Sequence, residues 1–237
     1  MGPIWAGYSG PMCTIPAVHI QARPSQTTPR PRPSEIELDT PWKEDVYEFT
    51  AEHLQHPAWG LAHAERDFLL ATELAAKSNL KVDSDVLFAA AFLHDMGGFA
   101  PYAKPGVDHA DRSAELCDTI LRPAGFPEDK LEAVRRAIET HSYYTDKEPA
   151  TNEALVLHDA DTLDFMGAMG AARILAITGK DTPDLASSVG LLEKLAQAAP
   201  ASIKSGPYAE QLASQRLAEM RAFLDQLHQE SYQGQHL

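Results

Sequence analysis

Cysteine is nearly absent: the 237 residues contain two, Cys13 and Cys117, in unlike surroundings. That excludes a disulfide framework and a cysteine-based zinc site, and Cys117 reads as a small apolar residue on a helix. Positive charge is also scarce. Twenty Lys and Arg stand against 34 Asp and Glu, giving a net charge of -14, and no basic stripe is visible. A nucleic-acid polymer is therefore not expected as partner, because neutralising its backbone needs clustered cations. An acidic chain can still take one small phosphorylated molecule if a metal and a few local cations reverse the sign inside a pocket. No apolar run reaches the roughly 20 residues that span a bilayer, so no membrane span is expected. Alternating strand-like runs are missing as well, which makes the fold class all-α. Gly167 and Gly170 follow no strand, so they read as a close helix-packing face and not as a phosphate loop.

The chain divides by composition. Residues 1–40 read as a disordered arm, since the stretch from Ala22 to Ser34 is polar and rich in proline. Ile15 to Ala22 faintly resembles the end of an export signal, but it has no basic n-region and Pro16 interrupts its short apolar run. A cytoplasmic location is the expectation. Residues 41–237, in a chain that is 44% hydrophobic, suffice for one helical domain with one substantial core.

Apolar periodicity predicts helices opening at Pro41-Trp42, then over 59–78, 108–121, 128–141, 153–177, 185–198 and 208–230. Between the second and third, Asp83 or Ser84 caps a helix whose run Val86 to Leu93 is apolar nearly all round, the mark of a central helix. A Gly/Pro-rich loop, 97–106, follows it. The last helix carries one apolar stripe and is expected to close its own bundle or to pair with a second copy, giving a homodimer.

His94-Asp95 closes the central helix and is followed by Met96-Gly97-Gly98. His63 precedes this pair, and His109, His141 and Asp161 follow it, one or two per predicted helix. Such positions resemble inward-facing ligands of a metal site in a helical bundle. Neutral imidazole together with carboxylate suits a divalent ion, with Mn, Fe, Ni, Co, Zn and Mg not distinguished by ligand type, and a second ion is possible in principle. The ligands would be His63, His94, Asp95 and Asp161. Adjacent residues on a straight helix point about 100° apart, so His94 and Asp95 can share an ion only near the helix end, which Gly97 and Gly98 supply. An ion with open positions lowers the pKa of its water and polarises a phosphoryl oxygen, which suits phosphoester or pyrophosphate hydrolysis. His158-Asp159 is a second His-Asp pair, but Asp161 is the better ligand; Asp164 shares its face and could orient a ligand or a water. Glu65 and Asp67 read as surface residues.

Five segments carry a family resemblance: His63-Ala64-Glu65-Arg66, Leu93-His94-Asp95-Met96-Gly97, His109-Ala110-Asp111-Arg112-Ser113-Ala114, Ala137-Ile138-Glu139-Thr140-His141-Ser142, and the run from Asp159 to Arg173. In order and spacing they resemble the HD-domain superfamily of metal-dependent phosphohydrolases, in its small single-domain, nucleotide-hydrolase-like branch. With weaker similarity near Leu192 to Leu195 and Arg216 to Leu224, the resemblance covers about four fifths of the chain. It implies an all-α bundle, ligands at His63, His94, Asp95 and Asp161, and hydrolysis of a small phosphorylated molecule such as a nucleotide. Thr162 stands where the family often has Arg, which removes a cation able to meet a phosphate. Lys104 is the remaining candidate for that task, with Arg66 and Arg112 behind it. His109 and His141 would position phosphate or move protons in a one-ion enzyme; in two-ion relatives, which include di-iron oxygenases, they would ligate the second ion. His141 could also serve only to cap its helix.

Overall fold

The computed structural model describes residues 36–237, and among them every regular element is helical apart from one isolated bridge between Thr178 and Thr182. Most of the expected arm, residues 1–35, and the export-like segment lie outside the described residues. Among the described residues, no helix is long and apolar enough to cross a membrane.

Helix α1 (Pro41–His53) opens on proline, which has no amide hydrogen to leave unpaired in the first turn. Helix α2 spans Leu61–Lys77. Helix α3 (Ser84–Leu93) starts where the Asp83 carboxylate accepts from the amides of Asp85 and Val86. Every residue of α3 from Val86 to Leu93 is buried, as its all-round apolar sequence requires. Around it pack α1, α2, α5 (Leu131–Glu139) and α6 (Asn152–Asp164). Trp42 meets Phe88 and Phe126 edge-on at 5.6 and 4.8 Å between ring centres, which fixes α1 against this core. Helix α4 (His109–Ala124) begins with Asp108 accepting from the Ala110 amide and ends at Gly125, whose φ of 85° is the left-handed closure glycine permits.

Two expected helices are interrupted. Residues 128–141 form a short 3-10 turn followed by α5, and the helix ends before His141. The continuous helix expected over 153–177 breaks after Asp164, and α7 (Gly167–Leu175) starts afresh. Gly167 takes φ of 68°, and Arg216 donates to the Leu163 carbonyl at 2.6 Å, serving a helix-end acceptor that an unbroken helix would have used itself. A Cβ on Gly170 would lie 2.1 Å from the Phe165 carbonyl oxygen, so the chain doubles back on itself there. Helices α7, α8 (Leu185–Ala198) and α9 (Pro207–Glu230) bury a second apolar cluster, with Trp59, Phe165, Ile174, Leu192 and Met220 among its members.

Candidate metal centre

The two cores leave a polar junction where α2, the end of α3, the start of α4, the end of α5 and α6 converge. α2 presents His63 and, one turn later, Asp67 on one inward face, since residues four apart lie one above the other. α3 ends at Leu93, so His94 and Asp95 fall in the turn beyond it and both reach inward. His109 is the first residue of α4, His141 lies just past α5, and α6 supplies Asp161 and Asp164.

The four expected ligands come together. Nε2 of His63 and Nε2 of His94 are 3.3 Å apart. Asp95 Oδ2 lies 3.5 and 3.4 Å from them, and Asp161 Oδ1 lies 3.3 Å from His63 Nε2. On its other side, Asp95 Oδ1 faces His109 Nε2 at 3.4 Å and His141 Nε2 at 3.8 Å.

Hydrogen bonds outside the cluster set how these rings present themselves. His94 Nδ1–H donates to the Ala91 carbonyl at 2.8 Å, and His141 Nδ1–H donates to the Ile138 carbonyl at 2.6 Å; a carbonyl only accepts, so each Nδ1 carries the hydrogen. His63 Nδ1–H donates to Asp164 Oδ2 at 2.8 Å. In the neutral ring each Nε2 then offers a lone pair inward, the arrangement metal-ligating histidines adopt. His141 thus does cap its helix, with one ring nitrogen, while the other faces the site.

The donor set fits a cation. Both carboxylate oxygens of Asp67 and Oδ2 of Asp95 are buried without a hydrogen-bond partner, and an uncompensated buried charge costs several kcal/mol per ion. His63, Asp67, His94 and Asp161 offer ligand atoms that all lie within 4.8 Å of one another, and so do His94, Asp95 and His141.

The electrostatics agree. Burial and Arg173 push the His63 imidazole down, but Asp67, Asp161 and Asp164 outweigh them and hold it well above its ordinary value. Burial is likewise overcome at His94, which Asp95 raises to about 8. Burial raises Asp95, but His94, His63 and His109 more than compensate and take it well below the usual carboxylate range. These are the marks of a pocket that favours positive charge. His141 is the exception: burial and the neighbouring His94 and His109 lower it to about 3, so it stays neutral.

Asp164 stands behind the cluster. It accepts from His63, from Arg66 at 2.8 Å on both oxygens and from Arg173 at 2.7 Å. Burial opposes its ionisation, but Arg173, Arg66 and His63 prevail and lower its pKa. Arg173 also donates to the Ala58 carbonyl at 2.8 Å and lies over the Phe165 ring.

A cavity over the cluster is lined by Asp95, His109, Ser142 and Asp161, with Trp59, Tyr143, Tyr144 and Phe165 as its aromatic walls. Among the described residues, no Lys or Arg lines it. Lys104, expected to meet phosphate, is 56% exposed and its near carboxylate is Glu115 at 4.0 Å. The loop carrying it is pinned by Arg112, which donates to the Tyr102 carbonyl at 2.8 Å, and by the buried Tyr102 ring, leaving Lys104 on the solvent side. Arg112 is further engaged with Glu115 and Arg66 with Asp164.

Glu65 and Asp67, read as surface residues, are both buried. Glu65 accepts from Tyr47 at 2.6 Å. Asp67 lies inside the cluster, and its four-residue spacing from His63 was the sequence signal. The aromatic walls carried no such signal, because they come from separate loops. His158-Asp159 is structural: Asp159 accepts from His158 and from the backbone amides of Lys204 and Ser205.

The HD domain family model matches residues 60–166 of the chain. No curated protein matches in sequence. Among solved structures, a Lactobacillus plantarum protein is 22% identical, with a TM-score of 0.61 over 80% of this chain and 96% of its own. Bacillus subtilis YpgQ in complex with ADP is 23% identical, with a TM-score of 0.60 over 79% of this chain and 97% of its own. An HD-superfamily hydrolase of Bacillus thuringiensis is 22% identical, with a TM-score of 0.55 over 79% of this chain and 97% of its own. At these identities the similarity bears on the fold alone.

Proposed function

The chain belongs to the HD-domain superfamily through residues 60–166, and from that premise we propose that it is a metal-dependent hydrolase of a small phosphorylated molecule, with a nucleotide as the substrate class. The observation that carries this is the convergence of three imidazole Nε2 lone pairs, each set by an outward Nδ1 hydrogen bond, on the carboxylates of Asp95 and Asp161. His63, His94, Asp95 and Asp161 would hold the ion. A divalent ion there supplies Lewis-acid polarisation of the scissile group and a water of lowered pKa.

The protein's own groups do the rest. The cavity is only about 20 Å³ as it stands, so a planar base would stack on the aromatic walls Trp59, Tyr143, Tyr144 and Phe165 only once these side chains part. The binding of ADP by Bacillus subtilis YpgQ, a protein of similar fold, supports the same substrate class. His141, neutral and with Nε2 unprotonated, can accept a hydrogen bond from the attacking water and orient it. His109 and Ser142 lie beside it, with Ser142 Oγ 3.3 and 3.2 Å from the Nε2 atoms of His109 and His141. They can hold phosphate oxygens. Lys104 is too far toward solvent to share the task. Asp164 positions His63 and does not touch substrate.

A second reading, a di-iron oxygenase, draws on Asp95, whose two oxygens face two histidine pairs. The test is a panel of nucleotides and simple phosphoesters assayed with each divalent ion, alongside metal analysis of the wild type and Asp161→Ala. The hydrolase reading expects phosphate release lost together with metal in the variant. Full activity in that variant would sink it, and about two irons per chain with oxygen-dependent turnover would move the oxygenase ahead.

A further inference from the structure

We infer that Asp67 is itself a ligand of the ion, so that the centre is built from two imidazoles and three carboxylates. The inference rests on the metal-dependent reading above and extends it to a residue outside the four-ligand set.

Asp67 has no exposed surface, and neither of its carboxylate oxygens has a hydrogen-bond partner. Its Oδ2 lies 3.2 Å from His63 Nε2 and 3.6 Å from His94 Nε2. Both rings have committed their Nδ1–H outward, to Asp164 and to the Ala91 carbonyl. A neutral ring so committed has no hydrogen at Nε2 to give. With both rings in the neutral form that ligates a metal, Asp67 faces two lone pairs at close range in a buried site, so the three atoms repel one another unless a metal ion, or protons in its place, sits among them. Position on the helix makes this a built feature: one turn past His63, Asp67 is carried by the same rigid face of α2 and cannot turn to solvent. The Arg66 guanidinium next to it gives no relief, since it is held on both oxygens of Asp164.

A third carboxylate changes which ions the centre prefers. Oxygen donors suit Mn and Mg, whereas Zn is satisfied by four ligands. With Asp67 in the set the donors are richer in oxygen and exceed what tetrahedral Zn uses. Without it, His63, His94, Asp95 and Asp161 still suffice for Zn.

The test is titration of the full chain, stripped of metal, with Mn2+ and with Zn2+ by competition against a chelating dye. Wild type is compared with Asp67→Asn, which keeps shape and removes charge, and with Asp67→Ser, which removes the carboxylate should the amide fold poorly. A direct ligand predicts that Mn2+ affinity falls by more than about 100-fold, beyond the ~10–100-fold cost of losing an outer partner, and that Zn2+ affinity falls less. A smaller loss of Mn2+ affinity, or an equal loss for both ions, overturns the inference and makes Asp67 a neutral acid bonded to a ring nitrogen. Wild type that binds neither ion would defeat the metal-dependent reading itself, and this inference with it.

Discussion

His63 Nδ1 and Asp164 Oδ2 meet at 2.8 Å across 101 residues of sequence, joining α2 to α6 and deciding which ring nitrogen His63 turns toward the buried His/Asp cluster. The same carboxylate oxygen receives Arg173, and Arg66 holds both oxygens. Asp164 is therefore the residue through which the two arginines act on the site.

Asp164→Asn should cost about 3 kcal/mol of stability at pH 7, because removing one partner of a buried pair leaves Arg173 uncompensated. Metal affinity should fall by about 10–100-fold as His63 loses its orientation. The sign of the pH dependence follows from the lowered pKa of Asp164. Its stabilisation is complete above the unfolded value of about 3.9 and is lost as pH falls through the lower folded value. Urea denaturation of both proteins should thus give a constant difference from pH 8 to 5 and a narrowing one below about pH 4.

Chelation should lower the melting temperature, and added divalent ion should restore it in a concentration-dependent way. An ion that binds only the folded chain adds RT ln(1 + [L]/Kd), about 2.7 kcal/mol at a hundredfold excess over Kd. Here it would also neutralise the buried, unpartnered oxygens of Asp67 and Asp95. Calorimetric scans over a range of free Mn2+ check this, and a melting temperature indifferent to metal would count against a cation in the cluster.

Gly97→Ala should disturb the centre without touching a ligand. A Cβ there would lie 2.5 Å from the Ser113 amide nitrogen and 2.6 Å from the His109 carbonyl oxygen, both backbone atoms of α4. Overpacking of this kind costs about 1–3 kcal/mol, and relief requires α4 to move away from the His94-Asp95 turn, taking His109 with it. Thermal melts together with metal content of the variant measure both effects.

The sequence foretold these parts unevenly, for physical reasons. α3 and the convergence of His63, His94, Asp95 and Asp161 were legible because helical periodicity and metal chemistry are both local in residue type. The separation of α6 from α7 was not, since it depends on Arg216, 53 residues beyond the Leu163 carbonyl it serves. Lys104 looked available for phosphate because its loop is short of partners in sequence; the bond from Arg112 to the Tyr102 carbonyl that turns it outward is tertiary. Asp67 was hidden by a compositional habit, that a carboxylate among Glu65 and Arg66 belongs on the surface. The four-residue interval from His63 was the countervailing signal.

Cys117 should resist alkylation at pH 8 while the chain is folded. Burial and the adjacent Asp118 push its thiol up to about 12, and the thiolate is the reactive form. Mass spectrometry of the Cys117 peptide after iodoacetamide treatment should show labelling that rises only with the unfolded fraction in urea. Rapid labelling of native protein would contradict the packing of α4.

Tyr144→Phe separates the one-ion from the two-ion arrangement. Tyr144 Oη lies 2.9 Å from His109 Nδ1, and His109 Nε2 lies 3.1 Å from His141 Nε2. His141 Nε2 is an acceptor, because its Nδ1–H is given to the Ile138 carbonyl. His109 therefore donates from Nε2, and the Tyr144 hydroxyl, kept protonated by burial and by Asp108, donates to His109 Nδ1. This relay presents a hydrogen and not a lone pair at His109 Nε2, which suits a group that binds phosphate and opposes ligation of a second ion. Removing the hydroxyl frees His109 to exchange tautomers. It should reduce turnover by about fivefold, the worth of one hydrogen bond near 1 kcal/mol, and should raise metal content above one ion per chain; unchanged metal content would show that the relay does not exclude a second ion. A rise in second-ion occupancy in the variant, measured as moles of metal per chain, would show that the relay is what holds the centre to one ion.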